Sequence, residues 1–405
     1  MSSKGSEASH GVDTAQVARP RDLREARDVM VDAARAGHRV LLRGSGTAQT
    51  WGAPVREVDL VVDTTGLDQI IAYNPADMTV AVGAGIRLQD LQSKLDRQRV
   101  SLDAARVAEG ATVGGLLATA DGGPIRATYG TLRDLVIGVI VILADGTVAR
   151  SGGHVIKNVA GYDLAKLFSG SLGAFGLVAE VVLRVHPLPE TSGTLAIPCD
   201  APTAFRLASE LLASPLEPVA IEWHAGRLLA RFEGTQLGVA NRLGKAQDLV
   251  QASPGFASAS VERLTENDES AAWDAVAADV RGTEGDTVLR AGTRPREFPA
   301  LVTRLDELSR QHDVDVRVVS SLGIGVHTVR IHGGQADQHA AVVDTWRSGV
   351  VQGGGSVTMH RRIAGLDDLI PSWGPAPQAL SVLRSLKDGF DPDGRLAPGR
   401  FAPWW

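Results

Sequence analysis

Cysteine is nearly absent from this sequence, which has only Cys199 among its 405 residues. An intrachain disulfide needs two cysteines, and a Cys-ligated iron–sulfur cluster or a Cys-rich zinc site needs several. The chain alone can therefore build none of these centres. Any such redox centre must belong to another polypeptide.

A surplus of positive charge is also missing. The sequence has 41 Lys and Arg against 47 Asp and Glu, so its formal net charge is −6. Proteins that bind nucleic acids or anionic lipid surfaces carry basic residues to neutralise phosphates. The composition therefore argues against a nucleic-acid partner.

Long hydrophobic runs are missing too. The longest apolar run, residues 135–144, is about half of the ~20 residues that a membrane-spanning helix needs. The polar start, residues 1–13, has no apolar signal-peptide core. We expect a soluble, cytoplasmic protein without a transmembrane segment, which could reach a membrane only through partners.

The periodicity of the apolar residues predicts four zones. Residues 1–20 are small and polar and are typical of a flexible tail. In residues 21–189, short strands alternate with glycine turns and a few helices. Residues 190–375 show a β-α-β-β-α order twice, typical of ferredoxin-like units, and a helix over 269–280 capped by Asp268 separates the two units. Residues 376–405 form a helix and a turn-rich tail.

The repeated order predicts how the second zone folds. Two such units side by side would give one antiparallel sheet with helices on one face. We therefore expect residues 190–375 to form an α+β cap domain, with the C-terminal zone returning to the first domain.

A glycine loop at residues 44–48 directly follows the predicted strand 39–43. Consecutive backbone N–H groups in such a loop can bind an anion, and a diphosphate is the ligand that we expect there. A Walker loop and a Rossmann loop are excluded by spacing, because Gln49 occupies the third glycine position and no helix is predicted next. A purely structural turn explains the loop equally well.

Further glycine clusters lie at the ends of other strands, at residues 83–85, 111–115, 122–123 and 170–176. Glycine weakens helices and strands, so it is tolerated where backbone approaches backbone or a flat, extended ligand. Tight turns in a compact α+β domain would also explain the clusters. Their density alone leaves both interpretations open.

Taken in order, the motifs resemble a known family. The phrases are Arg-Gly-Ser-Gly-Thr (43–47), Thr-Val-Ala-Val-Gly-Ala-Gly (79–85), Ala-Thr-Val-Gly-Gly-Leu-Leu-Ala (111–118), Tyr-Gly-Thr-Leu-Arg-Asp-Leu-Val-Ile-Gly (129–138), Ala-Asp-Gly-Thr (144–147), Lys-Asn-Val-Ala-Gly-Tyr-Asp-Leu (157–164) and Gly-Leu-Val-Ala-Glu-Val (176–181). They are similar to the FAD domain of the vanillyl-alcohol-oxidase-like, PCMH-type family. The resemblance implies an α+β fold with a two-subdomain FAD-binding domain over residues 21–189 and the cap after it.

The resemblance also implies which residues hold FAD. The diphosphate loop would comprise Arg43, Gly44, Ser45, Gly46, Thr47 and Ala48; the second wall of the cofactor channel would comprise Thr112, Gly114, Gly115 and Ala118; and the backbone of Val178 would meet the adenine. Family members that tether the flavin covalently often carry His at the position of Thr47. FAD is therefore expected to be bound non-covalently.

Two phrases, residues 157–164 and the terminal Asp-Pro-Asp-Gly-Arg-Leu-Ala-Pro-Gly-Arg-Phe (391–401), resemble the glycolate oxidase subgroup. Its catalytic D-type subunits usually carry Gly-Ser-Glu-Gly, where this chain has Leu172 in place of Glu, and a His-x-Gly-Asp-Gly-Asn-x-His motif that is missing here. These departures match the shorter E-type subunit. His327 and His332 lie on opposite faces of a predicted strand, so no metal site is expected from them.

The resemblance implies an FAD-binding subunit of a glycolate-oxidase-type 2-hydroxy-acid dehydrogenase. It would pass electrons within a complex that includes a catalytic flavoprotein subunit and an iron–sulfur subunit. Two alternatives stay open: a self-sufficient FAD-dependent oxidase or dehydrogenase of a hydroxy acid or alcohol, and a non-catalytic flavin-fold assembly subunit.

Oxidation of a 2-hydroxy acid requires a base for the hydroxyl proton and a cation for the carboxylate. His360 beside Arg361 and Arg362 offers both, and Arg290 is a second carboxylate candidate. An ordinary exposed basic strand explains each of them as well or better.

Other residues have weaker indications. Lys157 and Tyr162 could line the cofactor, although Tyr162 could equally be a core residue. The terminal pair Trp404 and Trp405 is a candidate docking feature, although tryptophans more often belong to a core or an interface.

Overall fold

The computed structural model describes residues 15–153, 163–254 and 260–405. The strands in these ranges are β1 (Gln16–Ala18), β2 (Val40–Arg43), β3 (Leu60–Asp63), β4 (Ile70–Asn74), β5 (Thr79–Gly83), β6 (Gln98–Arg99), β7 (Val136–Ile142), β8 (Val148–Gly152), β9 (Leu177–Arg184), β10 (His186–Pro187), β11 (Thr191–Pro198), β12 (Ala220–His224), β13 (Arg227–Gly234), β14 (Glu262–Leu264), β15 (Thr287–Gly292), β16 (Asp315–Ser321), β17 (Val326–His332) and β18 (Ser356–Arg361). The helices are α1 (Leu23–Arg35), α2 (Leu88–Gln92), α3 (Val113–Thr119), α4 (Arg126–Tyr129), α5 (Leu132–Leu135), α6 (Ala201–Ala213), α7 (Gln236–Ala252), α8 (Glu266–Arg281), α9 (Phe298–His312), α10 (Ala336–Gln352) and α11 (Leu380–Phe390).

The N-terminal part contains two main sheets. One is three-stranded and parallel, in the order β1-β3-β2, and the other is five-stranded and antiparallel, in the order β4-β5-β9-β7-β8. Strand β7 packs on both sides: Val141 joins the core around α3, while Ile142 joins the core around α1. Apolar residues on both faces of β7 are thus buried, which explains why its sequence reads as a continuous apolar run.

The cap is one eight-stranded sheet in the order β14-β11-β13-β12-β16-β17-β15-β18, with every neighbouring pair antiparallel. Side chains alternate across it, so Leu195 and Ile197 face the core that holds α6, α7, α9 and α10, while Ala196 faces α8. The predicted single sheet with the helices of the two repeats on one face is therefore confirmed. Helix α8, between the repeats, covers the opposite face.

Several predicted details are wrong. Residues 16–18 were expected in a flexible tail but form β1, whose Gln16 N–H donates to the carbonyl of Asp59. Asp268 does not cap α8; Thr265 occupies that position and Asp268 lies in the first turn. Strands β4 and β8, the two edge strands of the five-stranded sheet, were not predicted. The sequence of residues 88–97 predicts one helix, but α2 ends at Gln92.

The C-terminal segment packs against the N-terminal part. Phe390 contacts the rings of Phe168 and Phe175, with ring centroids 6.0 and 6.1 Å apart. Trp404 and Trp405 are half-buried and pack with Phe401, and this aromatic packing holds the end of the chain in place. Their role as a docking feature stays a prediction.

Cap strand β18 lies against the segment that follows the glycine loop. Thr50 donates its hydroxyl to the carbonyl of His360 at 2.7 Å, and the Gly52 N–H donates to the carbonyl of Met359 at 3.2 Å. These contacts bring the cap sheet to one end of the glycine loop. Within the described residues, no helix is both long and apolar enough to cross a bilayer.

Candidate functional site

A cleft with an empty volume of about 830 Å³, partly open to solvent, runs between the glycine loop and α3. The lining residues are Leu42, Arg43, Gly44, Ser45, Gly46, Thr47, Ala48, Gln49, Thr64, Arg106, Ala111, Thr112, Gly114, Gly115, Leu116, Ala118, Thr119, Asp121, Leu172, Gly173, Gly176, Leu177, Val178 and Arg400.

The glycine loop offers unpaired donors to this cleft. Among the described residues, no hydrogen-bond acceptor contacts the backbone N–H groups of Ser45, Gly46, Thr47 and Ala48. The buried hydroxyl of Ser45 also has no partner there. Gly46 has φ +81°, a conformation in which glycine is favoured. Consecutive free amides and a free hydroxyl are what an extended anion such as a diphosphate requires.

The opposite wall is the start of α3, where close packing excludes side chains. Thr112 caps this helix by accepting the Gly115 N–H at 3.2 Å. A Cβ on Gly44 would lie 2.2 Å from the Thr112 hydroxyl, and a Cβ on Gly114 would lie 2.9 Å from the Ala84 Cβ. The glycines therefore let the loop and the helix approach closely and leave a narrow channel between them.

The two ends of the cleft differ in chemistry. Leu172, Gly173, Leu177 and Val178 line one end, near the start of β9, and present an apolar surface suited to a flat ring such as adenine. At the other end lie Arg106 and the buried carboxylate of Asp121. The cleft thus extends from an apolar end, past an anion-binding loop, to a charged end beside the cap.

Three side chains form a stack at the charged end. The indole of Trp51 lies against the imidazole of His360 with ring centroids 3.5 Å apart, and the Arg106 guanidinium lies 4.5 Å from the indole. Burial, together with the charges of Arg106 and Arg290, holds the pKa of His360 well below its usual range. His360 is therefore a neutral imidazole at neutral pH.

Arg106 is itself buried. Its Nη1 lies 3.7 Å from the Asp121 carboxylate. Burial lowers the pKa of Arg106, the Asp121 charge raises it, and the charges of Arg361 and Arg290 lower it further. The predicted candidates Arg290 and Arg361 are therefore near Arg106.

A buried pair of carboxyl groups lies where the cap meets the first domain. Burial raises the pKa of Glu222 to about 8; the hydrogen bond from Ser321 lowers it and the charge of Asp103 raises it. Burial likewise raises the pKa of Asp103 to about 6, against the hydrogen bond from the Ile125 N–H. Glu222 is thus mostly protonated at neutral pH.

The structure places all of the residues predicted to hold FAD along the cleft. It brings the candidates His360, Arg361 and Arg290 together at the cap side of the charged end, whereas Arg362 instead pairs with Asp367. Lys157 and Tyr162 lie outside the described residues.

The histidine pair follows the predicted geometry. His327 is buried against Ser320 and Thr293 on the helix side of the cap sheet. His332 lies at the other face and pairs with Asp286.

Arg106, Asp121 and Arg400 line the cleft but were not predicted from the sequence. Arg400 lies in the quoted terminal phrase, so a signal was present, but its position beside residue 49 depends on the fold. Arg106 and Asp121 carry no motif of their own.

The comparison with protein families decides the cofactor. A model described as an FAD binding domain matches residues 14–152. These residues are a PCMH-type FAD-binding domain. The amides, glycines and apolar end described above fit FAD: the loop from residue 44 would hold the diphosphate, and the channel past α3 would hold the rest of the nucleotide.

Characterised relatives extend the comparison beyond this domain. The chain is 27% identical over 399 residues to glycolate oxidase subunit GlcD of Bacillus subtilis, covering 90% of this chain and 84% of that one. It is 25% identical to a D-lactate dehydrogenase of Archaeoglobus fulgidus, covering 89% and 85%. Glycolate oxidase subunit GlcE of Escherichia coli is 31% identical over 197 residues, covering 48% of this chain and 56% of that one. Over most of its length the chain is similar to glycolate-oxidase-type FAD-dependent oxidoreductases.

The fold also matches a solved structure. An alkyldihydroxyacetonephosphate synthase superposes with a TM-score of 0.70 at 15% identity, over 94% of this chain and 76% of that one. This likeness supports the fold alone and confirms the predicted PCMH-type α+β architecture.

Proposed function

We propose that this protein oxidises a 2-hydroxy acid with its own FAD and acts as the FAD-binding subunit of a glycolate-oxidase-type complex. The observation that carries the substrate class is a cluster of arginines without ion-paired carboxylates, formed by Arg126, Arg290 and Arg361 beside Arg106, which lines the charged end of the cleft. The relatives' names, two glycolate oxidase subunits and a D-lactate dehydrogenase, support the same substrate class.

This arginine cluster carries unneutralised positive charge. Among the described residues, no carboxylate lies within ion-pair distance of Arg126, Arg290 or Arg361. Among the same residues, the guanidinium of Arg290 donates only to the carbonyl of Gly122, at 3.3 Å. Glu222 is close enough to interact with the charges of Arg290 and Arg126, but its raised pKa keeps it mostly neutral. A carboxylate ligand would supply the missing negative charge.

The chemistry can be divided between the cofactor and the chain. When bound, FAD would supply the hydride acceptor for the carbon that bears the hydroxyl. In the proposed assignment, Arg290 and Arg361 orient the substrate carboxylate, and the neutral imidazole of His360 accepts the hydroxyl proton, leaving a 2-oxo acid. The Arg106–Trp51 stack fixes the imidazole plane, which restricts the direction of that proton transfer.

The functional test is anaerobic addition of glycolate or D-lactate to the purified flavoprotein, alone and with candidate partner subunits. The proposal predicts bleaching of the flavin absorption band by the isolated chain. Bleaching that requires a partner would indicate that this chain transfers electrons and that the partner oxidises the substrate. A colourless chain that assembles with partners would instead indicate a structural subunit. Flavin that no 2-hydroxy acid reduces, with or without partners, would contradict the proposed substrate class.

Replacing Arg290 tests the carboxylate site. Arg290→Leu removes a cation but no ion pair, so we expect the substrate concentration for half-maximal bleaching to rise about 10- to 100-fold. The FAD content should remain that of the wild type. Arg317→Gln, at an exposed arginine of β16, is the matched control and should leave the concentration dependence unchanged. An equal substrate concentration for half-maximal bleaching in the Arg290→Leu variant and the wild type would show that Arg290 does not bind the substrate carboxylate.

A further inference from the structure

Arg400, five residues from the end of the chain, contacts the segment that leaves the glycine loop. Its Nη1 donates to the carbonyl oxygens of Gln49 and Trp51, both at 2.8 Å, and to that of Ala53 at 3.2 Å. Its Nη2 donates to the Gln49 side-chain oxygen at 3.2 Å. One guanidinium thus holds three alternate carbonyl groups.

Two other arginines hold the same segment. Arg106 Nε donates to the carbonyl of Thr47 at 3.1 Å, and Arg362 Nη1 donates to the carbonyl of Gly52 at 2.6 Å. Five carbonyl groups of this segment are therefore directed into guanidinium groups, those of Thr47, Gln49, Trp51, Gly52 and Ala53. The amides of residues 45–48 remain free for the cleft.

Arg400 differs from the other two arginines in its charge balance. Arg106 lies near Asp121, and Arg362 pairs with Asp367. Within ranges 15–153, 163–254 and 260–405, no carboxylate lies at ion-pair distance from Arg400, and its buried Nε has no hydrogen-bond partner. Its exposure is only 4%. A buried, unpaired guanidinium is costly unless a ligand neutralises it.

The charge of Arg400 is retained despite this burial. Burial lowers the pKa of Arg400 to about 10, and the neighbouring charge of Arg362 adds to the effect. The guanidinium is still protonated at neutral pH. Arg400 and the glycine loop line the same cleft, so the guanidinium charge acts on an anion bound there.

We propose that Arg400 is a positioning residue for FAD: it orients the loop carbonyls so that the amides face the cleft, and the diphosphate of FAD is its counter-ion. The C-terminal segment is therefore part of the cofactor site, although more than 300 residues separate it from the loop in sequence.

The test compares FAD with riboflavin, which lacks the diphosphate. Flavin fluorescence titration of the apoprotein should show that Arg400→Gln weakens FAD binding by at least about tenfold. Riboflavin affinity should change by less than about threefold, because no charge on riboflavin faces the guanidinium. Arg400→Lys keeps the charge but not the planar fork, so we expect it to recover part of the FAD affinity.

Arg395→Gln is the matched control. Arg395 is also a buried arginine of the terminal segment, but it donates to the carbonyls of His38 and Ala144, away from the cleft. This variant should lower the melting temperature without changing FAD affinity. If Arg400→Gln weakens the binding of FAD and of riboflavin equally, or weakens the binding of neither, the proposed counter-ion role is overturned.

A second variant keeps the proposal testable if Arg400→Gln does not fold. Gln49→Glu places a carboxylate beside Arg400 Nη2 and keeps every carbonyl contact. We expect the apoprotein to melt at a higher temperature and FAD affinity to fall by at least about tenfold, because Arg400 then has an internal counter-ion. Unchanged FAD affinity would contradict the proposal. So would a loss of FAD affinity without a rise in the melting temperature of the apoprotein.

Discussion

Gly44→Val is expected to yield a folded protein that binds FAD roughly 100-fold more weakly and purifies without flavin. The added Cβ would lie 2.2 Å from the Thr112 hydroxyl and 3.3 Å from the Thr112 Cβ. Thr112 cannot rotate away freely, because its hydroxyl caps α3 through the Gly115 N–H. The loop and the helix would have to separate, which disturbs both walls of the channel. The measurement is the flavin-to-protein absorbance ratio after purification, followed by titration with FAD.

Gly389→Ala is the control for this substitution. Gly389 lies within α11, and a Cβ there would contact nothing within 4 Å. Alanine is favoured over glycine inside a helix, so this variant should keep its flavin and melt at the same or a higher temperature. A Gly44→Val protein with wild-type FAD affinity would show that the glycine loop and α3 do not enclose the cofactor.

Glu222→Gln is expected to change how stability depends on pH. The native pKa of Glu222 is about 8, above the ordinary 4.5, because of burial first and the Asp103 charge next. Between these two pH values the unfolded state has lost the proton that the native state keeps, so raising the pH favours unfolding. The wild type should therefore lose about 4 kcal/mol of stability from this group between pH 4.5 and pH 8. The group's contribution is fully present below pH 4.5.

The glutamine variant cannot ionise and should lose that part of the pH dependence. Its denaturant midpoint, measured at pH 5 and pH 8, should exceed that of the wild type at pH 8 and approach it at pH 5. In the variant, the free energy of unfolding should still fall with pH, but less steeply, up to about pH 6. The cause is Asp103, whose pKa burial raises to about 6. Parallel pH profiles of wild type and variant would show that Glu222 is charged in the native protein.

The diphosphate loop and the repeated cap could be predicted from sequence because their signals are local. The glycines at 44 and 46 follow a buried strand within a few residues, and the strand–helix order of each cap repeat is carried by its own periodicity. The sequence predicts strands over residues 326–332 and 356–361, and β17 and β18 have these bounds. Closeness in sequence made these features predictable.

The charged end of the cleft depends on contacts that are distant in sequence. Arg106 is a single arginine in a short turn, and only the fold places it beside Trp51 and Asp121. Glu222 occupies one position in an ordinary cap strand, and its raised pKa results from burial against the first domain. Arg400 meets the glycine loop because the chain returns after the cap. No local pattern encodes these three environments.

The most direct test of the account is the cofactor content of the intact, purified wild-type chain. We predict a yellow protein that releases FAD on acid denaturation, at about one FAD per chain, since the nucleotide is expected to be held without a covalent bond. Folded protein that contains no FAD and does not bind it on titration would contradict the assignment of the cleft between the glycine loop and α3.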